Sequence, residues 1–169
     1  MNKTNSQGII TDSLGYTGIV TLSQKVGKKK VKIAQLHNAG GKALFEYLAA
    51  CLAGDFDTAK LNRPTKIMLL SHDSDNKIIK AKDTPFIHII TAPKIAYSSE
   101  IEGVVEYSFT ISQDIFSGTA FDAVGLYTNT ATEQDVENYA AYCPIASEDL
   151  TDISLSSVLL LDWELHISN

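Results

Sequence analysis

Cysteine is scarce in this 169-residue chain: Cys51 and Cys143 stand far apart with no CxxC spacing. That excludes a disulfide-stapled scaffold and a thiolate zinc cluster. Each has mostly apolar neighbours, so two buried free thiols are expected in preference to a disulfide. There is one tryptophan, Trp163, and four prolines. No internal repeat, low-complexity tract or linker divides the chain, and no apolar run approaches the roughly twenty residues of a membrane helix. The start, MNKTNSQGIITDS, lacks the contiguous apolar stretch of a secretory signal, which predicts synthesis and retention in a cytoplasm until assembly.

The sequence also lacks the motifs of catalysis. There is no GxSxG elbow, HExxH or paired CxxC, and His37, His72, His88 and His166 are scattered. The carboxylate pairs Asp55/Asp57 and Asp73/Asp75 fall in expected loops, where any chain with twenty acids carries such pairs. Asp73, Asp75 and Asn76 open like a calcium loop but lack its sixth-position glycine and twelfth-position glutamate. Gly40-Gly41 before a helix lacks the rest of a phosphate-binding loop. No catalytic, cofactor-binding or metal-ligating residue is assigned, and an enzyme is not expected.

Basic residues are missing from one part of the chain altogether. All fourteen Lys and Arg precede residue 100, beside seven acids, whereas residues 100–169 carry thirteen acids and no lysine or arginine. Two readings follow. Basic and acidic strands interleave in one sheet and cancel locally, or opposite faces of successive copies meet head to tail. Lys28, Lys29 and Lys30 cluster at a turn without interleaved aromatics, which is a solvated tip, and no nucleic-acid partner is expected.

What is present is alternation. In Val158 to Ser168, Leu159, Leu161, Trp163, Leu165 and Ile167 alternate with Leu160, Asp162, Glu164, His166 and Ser168, the period of a strand with one dry face. This strand is expected to lie between earlier strands as the closing piece of a sheet, so that removing the last ten residues unfolds the protein.

The same period marks Gly15 to Val26, with Val31 to Leu36 returning as a hairpin that turns Val31 and Ile33 to the core. It recurs in Glu100 to Ser112 (Val105, Tyr107, Phe109, Ile111) and in Ala120 to Thr128, where apolar residues on both sides require both faces to be covered. Lys66 to Leu70 reads as a buried strand, Asn76 to Lys82 as an edge strand, Phe86 to Ala92 as a core strand, and Tyr139 to Ala146 as a short strand. His88, between isoleucines, reads as a core or sheet histidine.

Asn38-Ala-Gly-Gly41 is expected to break the second strand. In Lys42 to Ala53 the period becomes helical, with Leu44, Phe45, Leu48 and Leu52 as the apolar stripe and Gly54 as the terminating glycine. Asp55 to Pro64 reads as a loop. Residues 1–14 read as an N-terminal arm, and 15–169 as one domain. The expected fold is mainly β, an antiparallel β-sandwich of immunoglobulin-like or jelly-roll type with eight to ten strands and one amphipathic helix at about 42–53.

Asn38-Ala-Gly-Gly41 followed by the helix KALFEYLAACLAGD, then Arg63-Pro64 entering a buried strand, Gly125-Leu126-Tyr127 in FDAVGLYTN, and Trp163 in LLLDWELHISN together resemble small virion structural proteins of tailed bacteriophages. The resemblance spans most of the chain and is carried by structural motifs. It implies a non-enzymatic particle component with a position in capsid, neck or tail left open. Its partners would be itself, as a symmetric homo-oligomer, and other virion proteins, with no membrane. It would be located in the virion after assembly in the host cytoplasm. The alternative is a carbohydrate-binding β-sandwich for host adsorption, using Tyr97, Tyr107, Tyr127, Tyr139 or Tyr142 as stacking surfaces.

Overall fold

The structure is a computed structural model that describes residues 3–4, 10–11, 15–81, 84–89, 92–97, 102–116, 120–151 and 158–168. In chain order the strands are β1 (Lys3–Thr4), β2 (Ile10–Thr11), β3 (Gly15–Val26), β4 (Lys29–Gly40), β5 (Pro64–His72), β6 (Ile78–Lys80), β7 (Ile87–His88), β8 (Lys94–Tyr97), β9 (Glu102–Ile111), β10 (Ala123–Thr128), β11 (Ala141–Pro144) and β12 (Val158–Ser168). The helices are α1 (Lys42–Ala53), α2 (Phe56–Asn62), α3 (Gln113–Phe116) and α4 (Ser147–Thr151). Most of the expected N-terminal arm lies outside the described residues; within it, β1 pairs with β2.

Ten strands form one antiparallel sheet in the order β6-β5-β10-β11-β4-β3-β12-β9-β8, with β7 pairing to β5 off this path. The expected closing strand holds the expected place. β12 lies between β3 and β9 and is in register with β3 from Val158 opposite Lys25 to Ser168 opposite Gly15. Leu159, Leu161, Trp163 and Leu165 are buried, and Trp163 is 0% exposed.

Strand β4 links the two halves of the sheet. It pairs with β3 through Asn38, then passes to β11 at Ala39 and Gly40. The segment expected to break the strand therefore continues it. One core cluster unites Val20, Leu22, Phe109 and Trp163 from one half with Ile67, Leu69, Val124 and Leu126 from the other, and takes in Ala43 and Leu44 of α1. A second cluster, with Met68, Leu70 and Tyr127, covers the opposite face of β5 and β10. All of β10 is buried, as its two-sided apolar pattern requires.

Several local expectations are corrected. Val31 is 47% exposed, because the register slips between Leu22, opposite Ala34, and Ser23, opposite Lys32; the extra residue rotates the strand end outward. Asp55 to Pro64 is not a loop. The Asp55 carboxylate accepts a hydrogen bond from the Thr58 amide at 3.1 Å and caps α2. α1 has the expected ends, with Gly54 in the left-handed region at φ 74°, but its rotation differs. Ala43 and Leu44 face the core with Leu48 half-buried, whereas Phe45 and Leu52 point outward. The Phe86 to Ala92 strand contracts to the two residues of β7, and His88 is exposed there beside Lys66. Four helices stand among the described residues where one was expected.

The residues that carried the sequence resemblance have packing roles. A Cβ on Gly18 would sit 1.3 Å from Asn38 Oδ1, so the Asn38 carboxamide occupies the space over that glycine. The Tyr16 hydroxyl donates to the same oxygen at 3.2 Å. A Cβ on Gly125 would meet the Tyr127 ring at 2.5 Å, and the Tyr127 hydroxyl donates to the Val136 carbonyl at 2.8 Å.

Burial pushes the Tyr16 phenol up to about 12, and burial also raises those of Tyr107 and Tyr127. In the unfolded chain a phenol titrates near 10. Between these values the unfolded chain loses protons that the native chain retains, so stability is full below about pH 10 and falls as the pH rises toward 12. An alkaline titration followed by circular dichroism and tyrosinate absorbance is expected to show these phenols ionising together with loss of structure.

Candidate functional site

Three places gather chemistry. The first is a polar chain at the end of β5. His72 Nδ1 lies 3.0 Å from both carboxylate oxygens of Asp122, and His72 Nε2 lies 3.2 Å from the Tyr142 hydroxyl. The Tyr142 ring meets His72 edge-on and lies 5.4 Å from the Tyr139 ring. Sequence reading missed this group because its members come from three elements and share no spacing. Desolvation, followed by the neighbouring Asp122 charge, raises the Tyr142 phenol above its ordinary value, the opposite of what a nucleophilic tyrosine needs. The order Asp–His–Tyr resembles a relay in connectivity and ties β5, β11 and the residue preceding β10 together.

The second place is the outer surface of the α1–α2 corner. Leu52 is 83% exposed and Phe56 74%, and Phe45 and Leu61 are each more than half exposed. The Lys42–Glu46 pair lies beside them along α1.

The third is a cleft of about 400 Å³ between the Leu44, Leu48 and Cys51 face of α1 and strands β8, β9 and β12. Its walls are mainly aliphatic and aromatic, and Arg63, immediately after α2, contributes the cationic group. Cys51 lines it, so this thiol is half-buried, whereas Cys143 is fully buried; both are free.

No family model, curated protein or solved structure matches the chain.

Other groups singled out in the sequence have local roles. Asp73 Oδ1 accepts from the amides of Asp75 and Lys77 at 2.9 Å each, which closes the turn before β6. Asp57 lies in the first turn of α2, where a carboxylate favours the helix dipole. No group of three or more metal-ligating side chains occurs among the described residues. Of the tyrosines considered for sugar stacking, Tyr107 and Tyr127 are buried and Tyr139 and Tyr142 are half-buried. The Tyr97 side chain lies outside the described residues.

The divided charge is paired across the sheet. Lys30 pairs with Asp162, Lys94 with Glu106 at 3.2 Å, and Lys80 with Glu133 at 2.7 Å, each joining the basic part of the chain to the acidic part. Lys42 pairs instead within its own helix, with Glu46, and Lys66 is buried away from any carboxylate contact among the described residues. The Lys66 ammonium is held by the carbonyls of Asn129 and Ala131, at 3.1 and 2.6 Å, over the Phe86 ring, and desolvation lowers its pKa. It fastens the 129–140 segment over the second core. No helix among the described residues is long and apolar enough to cross a membrane.

Proposed function

We propose that the chain is a non-enzymatic structural or assembly subunit of a bacteriophage virion, built as a β-sandwich of immunoglobulin-like or jelly-roll type. It acts through contacts with further copies of itself and with neighbouring virion proteins, after assembly in the host cytoplasm. The observation that carries the contact role is the set of exposed apolar side chains on the two consecutive helices, Phe45 and Leu52 on α1 and Phe56 and Leu61 on α2. Burying one large apolar side chain yields about 1.5–3 kcal/mol, and exposed apolar patches mark interaction surfaces. The sandwich reading is supported by the core cluster to which both halves of the sheet contribute. The phage context is supported by the sequence resemblance. Lys30, Lys80 and Lys94 find acidic partners within the chain and so are already engaged there rather than in head-to-tail contacts.

Sedimentation velocity tests this. The wild-type chain is expected to form a discrete oligomer that persists in high salt, where exposed charge contacts are screened. The double variant Leu52→Lys, Phe56→Lys is expected to be monomeric with an unchanged circular dichroism spectrum. A wild-type monomer at all concentrations, together with absence of the polypeptide from purified particles, would overturn the reading.

A second reading, a carbohydrate-binding module, is favoured by the half-buried Tyr139–Tyr142 pair beside Asp122 and His72. Glycan-array binding that is lost in Tyr139→Ala would select it.

A further inference from the structure

The cleft beneath α1 is independent of the outward corner. Its volume, about 400 Å³, falls within the range of small-molecule sites, and such sites combine apolar walls with a few placed polar groups. Leu48 and Cys51 form the helix side, and Val105, Tyr107 and Ile167 the sheet side. Arg63 stands at the margin and is exposed, and among the described residues no carboxylate pairs with its guanidinium. Tyr47 and Tyr107 line the same cleft as Arg63.

We propose that this cleft binds an amphipathic carboxylate of the fatty-acid class, with its alkyl chain along the apolar walls and its carboxylate on Arg63. A guanidinium fork matches a carboxylate with two parallel hydrogen bonds. The walls suit an alkyl chain and not a peptide, since a peptide would bring amide groups into a trough with few polar partners, each at a desolvation cost. Charge complementarity selects the acid over the corresponding alcohol.

The test uses the full chain and decanoate, with decanol as the uncharged control. Calorimetric titration is expected to show saturable decanoate binding, weakened roughly tenfold or more both by decanol in place of decanoate and by Arg63→Gln. Because Arg63 is exposed, that variant leaves the core intact. Location is read without a variant. Decanoate is expected to slow alkylation of Cys51 by N-ethylmaleimide, while Cys143, buried and with its thiol pushed up to about 12, does not contribute. Absence of saturable binding would overturn the proposal. So would equal affinity for decanol, equal affinity of Arg63→Gln for decanoate, or Cys51 alkylation unchanged at saturating decanoate.

Discussion

Deleting residues 160–169 is expected to abolish cooperative folding, and replacing Trp163 by alanine to cost about 3–5 kcal/mol. β12 is an interior strand hydrogen-bonded on both edges, so its loss leaves β3 and β9 with unpaired backbone groups and removes the buried Leu161, Trp163 and Leu165 together. The Trp163 indole N–H acts on the Tyr16 phenol but meets no acceptor in regular hydrogen-bond geometry among the described residues. Its contribution is therefore packing. Trp163→Phe should retain much of the apolar burial and also remove an unsatisfied donor, so its cost should be well below that of alanine. Urea denaturation of the two variants, compared at equal slope, measures the difference. A Trp163→Ala cost under about 1 kcal/mol would place the residue outside the core.

The second large effect is expected at the junction of β4 and α1. A Cβ on Gly41 would stand 2.2 Å from the backbone carbonyl oxygen of Tyr139, and the Gly41 amide donates to the Ala140 carbonyl at 2.7 Å. The obstruction is main chain on both sides, so no rotamer change relieves it. Gly41→Ala must separate the start of α1 from the segment before β11, and we expect a loss above 3 kcal/mol, roughly the cost of severe overpacking. Gly54→Ala, by contrast, meets open space and strains only its φ of 74°, at about 1 kcal/mol. Thermal unfolding of the pair orders the two effects. A Gly41→Ala protein as stable as wild type would show that the backbone of Gly41 and that of Tyr139 can separate without cost.

Much of this architecture was legible in the sequence where one periodicity ran long enough. β12, β9 and β10 each announce their faces, and α1 announces its ends through Gly-Gly and Gly54. The rotation of α1 was not legible. Phe45 and Leu52 fit a helical stripe as well as Ala43 and Tyr47 do, and hydrophobicity alone favours the larger side chains, yet the sheet takes the face with the small Ala43 against it. That error hid the outward corner and the cleft together, since both follow from which side of α1 faces inward. α2 was missed because its signal is a single capping aspartate, and the outward turn of Val31 because a one-residue bulge leaves no mark in composition. The Asp122–His72–Tyr142 chain joins positions fifty and seventy residues apart, beyond any local pattern.

β12 locks the sheet, and the proposed contact surface is the exposed apolar side chains of α1 and α2. Hydrogen–deuterium exchange at low and high protein concentration examines both at once. The amides of β12 from Leu159 to Leu165 should be among the slowest to exchange at either concentration, and the slowing that appears with concentration should fall on α1 and α2. Early exchange of β12 at the rate of the edge strand β8, or concentration-dependent protection confined to elements other than the two helices, would contradict this reading.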